Sequence, residues 1–125
     1  MSEKNKILVE AVPHYIEAQS VPEEGRYVFA YTITITNTGN IAAQLISRHW
    51  LITDANGKVQ EVRGEGVIGE QPHLKPGEVY EYTSGAMTET PVAVMQGKYL
   101  MLSENGDNFN APIPPFTLSI PRVLH

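Results

Sequence analysis

The stretch 26-RYVFAYTITITNTGN-40 alternates Tyr27, Phe29, Tyr31, Ile33 and Ile35 with Val28, Ala30, Thr32, Thr34 and Thr36. That two-residue period belongs to a strand with one face buried. Toward the C-terminus, 46-ISRHWLITD-54 is a second β-rich stretch, and 54-DANGK-58 follows it. The pair Asn56-Gly57 tolerates the positive φ angles of a tight hairpin turn, so 59-VQEV-62 reads as the returning strand. Pro76-Gly77 marks a turn before a strand that carries Val79 and Tyr80 or Tyr82. Asn105-Gly106 repeats the hairpin signal after 97-GKYLMLSE-104, and 116-FTLSI-120 places Phe116, Leu118 and Ile120 on one face. No apolar set holds a 3.6-residue period for three turns, and nine prolines and ten glycines interrupt any helix. Many short strands with no helix to cover a sheet predict an all-β chain of two antiparallel sheets packed face to face, with a small closed barrel as the alternative. Trp50, the single tryptophan, is expected to fill the space between the sheets.

The 125 residues, 42% of them hydrophobic, suit one domain spanning 1–125. With no cysteine, the chain has no disulfide, thiolate metal ligand or cysteine nucleophile. The N-terminal segment, with a short apolar run broken by Glu10 and Pro13, does not resemble a secretory signal, and no stretch approaches a membrane span. Cytoplasmic placement without membrane insertion is the expectation. A net charge of −5 and nine singly scattered basic residues, among them Lys4, Arg63, Lys98 and Arg122, argue against nucleic acid as a partner.

Residues 64-GEGVIGEQP-72 contain G-x-G-x-x-G, the spacing that cradles a dinucleotide pyrophosphate when a helix follows. Here Pro72, Pro76 and Gly77 exclude a helix of useful length, and no Lys-Ser or Lys-Thr pair follows the glycines. An irregular loop or bulged strand edge is the structural alternative, although successive amides in such a loop can form a small anion nest.

The stretch 47-SRHWLITDANGKVQEVRGEGVIGEQPHLKPGEVYEYTSG-85, followed by 90-TPVAVMQGKYLM-101, resembles the ApaG family of small bacterial proteins, collinearly and over nearly the whole chain. The resemblance implies an immunoglobulin- or fibronectin type III-like antiparallel β-sandwich. It also implies a module for protein contact, because similar domains occur in F-box proteins and in a DNA polymerase delta interacting protein. Bacterial members of the family are associated with cobalt resistance and magnesium efflux.

Candidate site residues are polar groups that break the strand pattern. Arg48 alternates in phase with Ile46, Trp50 and Ile52, which aims its guanidinium inward unless a bulge turns it out or Glu65 or Glu70 pairs with it. Functionally it would anchor an anion or a carboxylate. His49 faces the opposite side. The candidate surface joins Arg48 and His49 to the loop residues Gly64, Glu65, Gly66, Gly69, Glu70 and Gln71, with Ser84 and Gly85 as a rim.

No metal and no cofactor is expected. His14, His49, His73 and His125 include no H-x-H or H-x-x-x-H pair, and 103-SENGDNFN-110 reads as a hairpin turn. His73 with Glu70 or Glu78 is the other grouping considered. No catalytic residue is assigned, since Ser84 lacks the G-x-S-x-G setting of a nucleophile elbow. Two functions are compatible with these residues. The first is a non-catalytic module for an unidentified protein partner; the second is a small-ligand protein holding a phosphate-bearing or acidic metabolite between Arg48 and the loop amides. A homodimer through an edge strand is compatible with either.

Overall fold

A computed structural model of the chain describes residues 5–121; Lys4, Arg122 and His125 lie outside them. Eight strands follow in order: β1 (Ile7–Tyr15), β2 (Tyr27–Asn37), β3 (Ala43–Asp54), β4 (Val59–Glu65), β5 (His73–Leu74), β6 (Val79–Thr88), β7 (Val92–Ser103) and β8 (Asn108–Ser119). Two single 3-10 turns, Glu17–Gln19 and Pro22–Glu24, connect β1 to β2. One sheet has the order β1-β2-β6; the other has the order β4-β3-β7-β8, with β5 pairing β3. Every named pairing is antiparallel, and because the strands form two separate sheets the molecule is an all-β sandwich rather than a closed barrel. Among the described residues no helix is long and apolar enough to cross a membrane.

The alternation in β2 determines which side is buried. Phe29, Tyr31, Ile33 and Ile35 face Leu45, Trp50, Ile52, Met95, Tyr99, Met101, Ile113 and Leu118 of the other sheet, all of them buried. Trp50 lies between the sheets as expected, with Tyr31, Phe116 and Tyr99 edge-on to it at centroid distances of 5.4, 6.0 and 6.4 Å.

Two strands carry prolines, and both are sheet edges, where a missing N–H is tolerated. In β1, Pro13 and the outward Glu10 interrupt the apolar run, so the strand is not visible from composition. In β8, Pro112, Pro114 and Pro115 accompany a register shift opposite Met95 and Gly97. The two Asn-Gly turns differ from a two-residue hairpin, because only Gly57 and Gly106 have positive φ, +83° and +92°. Each closes a longer loop, with the amide of Gly57 donating to the Asp54 carbonyl (3.0 Å) and that of Gly106 to the Ser103 carbonyl (2.9 Å).

A bulge in β3 shapes the candidate site. The register against β7 shifts between Leu45 and Ser47, leaving Ile46 out of the ladder. Before the bulge the inward residues are Ala43 and Leu45; after it they are Arg48, Trp50 and Ile52. Ile46 therefore does not share the phase of Arg48, as simple alternation would have it.

Candidate functional site

Arg48 keeps to the inner side with Trp50, so the bulge does not turn it outward. Nor do the Glu65 or Glu70 carboxylates pair with it. Its guanidinium instead donates to the backbone carbonyls of Glu65 (3.1 Å) and Gly66 (2.8 Å). It lies directly over Gly64, where a Cβ would come within 2.7 Å of it. The charge also reaches a buried phenol cluster between the sheets. Tyr82 and Tyr99 share a hydroxyl–hydroxyl bond of 2.5 Å, and Tyr31 stands opposite Ser84 in the register of β2 and β6. Burial pushes all three phenols above the usual tyrosine range, and the Arg48 charge partly opposes this. Ser84 lies opposite Tyr31, whereas Gly85 pairs with Ala30 and turns to the opposite side of its sheet.

The glycine loop forms a second turn of chain on this edge. Val67 and Glu70 exchange both backbone hydrogen bonds (2.8 and 2.9 Å) around Ile68 at φ +41° and Gly69 at φ +82°. Positive φ at both central residues is the type I′ geometry. Gly66, at φ +61°, passes so close to Glu70 that a Cβ would stand 2.2 Å from its carbonyl oxygen. The Gly66 amide and the Gln71 side chain both donate to the Ile46 carbonyl (2.8 and 2.9 Å), and Glu70 accepts from the Tyr80 hydroxyl (3.1 Å). The amides of Gly66, Val67 and Glu70 are therefore engaged within the chain. A recess of about 270 Å³ beside Gly66, Gly69 and Gln71 is also lined by the carboxylate residues Glu65 and Glu70. β5 follows the loop, where a phosphate cradle would need a helix.

His49 points to the outer face of the five-stranded sheet, away from Arg48. Cross-strand register sets Arg63, His49, Lys98 and Pro112 in one row across β4, β3, β7 and β8. On one side of it lies the row Glu65, Ser47, Leu100 and Asn110; on the other lie Glu61, Leu51 and Gln96. The Glu61 Oε2 atom contacts both His49 Nε2 (2.6 Å) and an Arg63 guanidinium nitrogen (2.8 Å). Hydrogen bonding by His49, and then by Arg63, holds the Glu61 carboxyl below the usual range. Lys98 has no ion pair among the described residues.

Two depressions adjoin this row and share His49 and Lys98. One, about 470 Å³, also takes in Ser47, Arg63, Glu65, Leu100 and Asn110. The other, about 390 Å³, is walled by Leu51, Ile113 and the prolines at 112, 114 and 115. Ser47 lies two residues from His49 on this face, and the His49 ring nitrogen Nε2 is engaged by Glu61. Among the described residues no three His, Asp or Glu side chains gather as a metal site would require; His73 stands exposed at the head of β5. Sequence reading missed Arg63, Lys98 and Glu61, which look like isolated charges until the strands are in register.

An antiparallel β-sandwich with one broad, partly cationic sheet face is the class of protein that this geometry defines. The chain belongs to the ApaG-domain family, whose domain matches residues 17–103. It is 62% identical to Protein ApaG of Aromatoleum aromaticum, over 99% of this chain and 98% of that one. Identity to Protein ApaG of Azoarcus sp. is 60%, again over 99% and 98%. A crystal structure of an ApaA protein from Bordetella pertussis superposes with a TM-score of 0.94 at 51% identity, covering 97% of this chain and 98% of that one.

Proposed function

We propose that this chain is a non-catalytic cytoplasmic module that binds a partner protein through the open face of its five-stranded sheet. The observation that carries the reading is the row Arg63–His49–Lys98 set between two depressions on that face. A broad sheet face with apolar depressions and a few placed charges suits protein contact, and sandwich modules of the immunoglobulin and fibronectin kind are used in this way. Any bearing on cobalt and magnesium handling then passes through the partner, such as a cation-transport or nucleotide-metabolism component. The rival function, an acidic metabolite held between Arg48 and the loop amides, is not favoured. Two donors of Arg48 are engaged by carbonyls, and Glu65 and Glu70 bring negative charge to the loop.

Photo-crosslinking side chains placed in living cells at Gln96 and Asn110, exposed on the open face, test this. Val12 and Thr83, exposed on the outside of the other sheet, serve as controls. Protein-sized adducts are expected from the first pair only. Equal yields from both faces, or none from the open face, would overturn the reading.

A further inference from the structure

We propose that the free edge of β4 is a homodimer seam. Two copies of this chain join edge to edge through antiparallel β4 strands, with Val62 opposite Val62 at the two-fold axis and each Glu61 opposite the partner's Arg63. The seam does not depend on what the open face binds.

The first argument is which edge is open. The edge strands are β1 and β6 of one sheet and β4 and β8 of the other. Pro13 blunts β1, and Pro112, Pro114 and Pro115 blunt β8. At β6 the Gln60 side chain donates to the Met87 carbonyl (3.2 Å) and the Tyr80 hydroxyl donates to Glu70 (3.1 Å), so side chains from β4 and the glycine loop reach across that edge. β4 has no proline, and its residues other than Gly64 are exposed. The Gly66 amide donates to the Ile46 carbonyl and the Asp54 amide to the Lys58 carbonyl, so even-numbered positions along β4 bond to β3. Val59, Glu61 and Arg63 therefore turn their N–H and C=O groups outward. Val62 stands opposite Trp50 on the inner side yet is 37% exposed, so β4 overhangs the sandwich and leaves this side chain uncovered.

The second argument is register. Two antiparallel β4 strands can bond only with odd-numbered residues opposite odd-numbered ones, because those alone point outward. An axis at Glu61 sets Glu61 against itself. An axis at Arg63 sets Arg63 against itself and Glu61 against Glu65, and like charges so opposed destabilise a sheet. An axis at Gln60 or Gly64 overlaps only residues 59–61 or 63–65 of the strand. An axis at Val62 pairs the whole strand, opposes Glu61 to Arg63 twice, and brings the two Val62 residues together as a non-hydrogen-bonded pair with Cα atoms about 4.5 Å apart. Charge on an edge ordinarily deters pairing; here it selects one register with one partner. Within its own chain Glu61 uses Oε2 for both His49 and Arg63, and Arg63 uses one nitrogen of its fork. Oε1 and the rest of the fork are left for the other copy. Glu61 and Arg63 balance each other, so the seam needs no excess of either sign.

The test is sedimentation velocity of the full chain from about 10 µM to about 1 mM, a span suited to the weak association of a seam smaller than a standard interface. Amide exchange is read residue by residue over the same span. Dimer should accumulate with concentration, with protection growing at Glu61 and Arg63 and not at Thr83 and Gly85 of β6. Arg63→Glu and Glu61→Arg each oppose like charges and should each weaken the dimer at least about 10-fold. Mixing the two variants should restore it, since each Glu of one copy then meets an Arg of the other. A monomer at the highest concentration, indifference to Arg63→Glu, no recovery on mixing, or protection on β6 in place of β4 would each overturn the proposal. The protection pattern of the wild-type chain decides the case even where a variant fails to fold. Gln96 and Asn110 lie on β7 and β8, with β3 between them and the seam, so their crosslinks report on the open face separately.

Discussion

Gly97 of β7 lies against the backbone of His49 in β3, so that a Cβ at position 97 would stand 2.1 Å from the His49 carbonyl oxygen. The two central strands of the five-stranded sheet meet here without a side chain between them, and the next residue along β7, Lys98, comes level with His49. The row on the open face depends on this contact.

Gly97→Ala should therefore separate β7 from β3 at the row. Because the clash is with backbone, no side chain can swing away to relieve it. The expected cost is about 1–3 kcal/mol, as for overpacking in a well-packed interior. Urea unfolding measures it, and an unchanged midpoint would contradict the close approach.

Arg48→Met removes the donor that holds the carbonyls of Glu65 and Gly66. A hydrogen bond from a charged group contributes about 1.5–3 kcal/mol, so a loss of that size is expected. Amide exchange of Val67 and Glu70 in the adjoining turn should quicken as well. Gly64→Ala displaces the same guanidinium, the flexible end of a side chain, and should mimic the effect more mildly. Since both changes act on one contact, the double variant should cost less than the sum of the singles.

Ile68 is the one non-glycine among the described residues with positive φ, +41°, and it is 58% exposed. A β-branched residue in the left-handed region is strained by about 1–3 kcal/mol. Asparagine tolerates that region and is an ordinary first residue of a type I′ turn. Ile68→Asn gives up little buried surface, so thermal stability should rise by about 1 kcal/mol. A lowered melting temperature would show that Ile68 packs more than its exposure indicates.

Glu61 sets the acid behaviour of the open face. Its carboxyl is held below its ordinary 4.5 by His49 first and then Arg63. A depressed carboxyl contributes stability that is present above the unfolded value and is lost as pH falls through the folded one. The stability difference between wild type and Glu61→Gln should accordingly shrink on acidification through that window. Carbon-detected NMR of the Glu61 carboxyl should titrate below 4.5 in wild type and return toward it in Arg63→Gln. A midpoint at 4.5 in wild type would remove the bridge.

Several elements could be recognised without coordinates. The alternation in β2 identifies the buried face, since a side chain's direction follows from its parity along a strand. Trp50 sits between the sheets for the same reason, and the prolines after Gly69 exclude the helix that a phosphate cradle needs. β1 was not legible, because its Pro13 and Glu10 read as breaks and are accommodated only at a sheet edge.

The fold class, the inter-sheet tryptophan and the positions of the turns are legible in the residues, because each follows from local period and from backbone freedom at single residues. Tertiary structure alone decided the site. The bulge at Ile46 resets which side chains of β3 face inward and sends Arg48 to two loop carbonyls. Register of β3 against β7 brings His49 beside Lys98 across a long stretch of chain. A slip of one residue in that pairing would turn Lys98 to the core side, and nothing in the spacing of the two residues encodes the match.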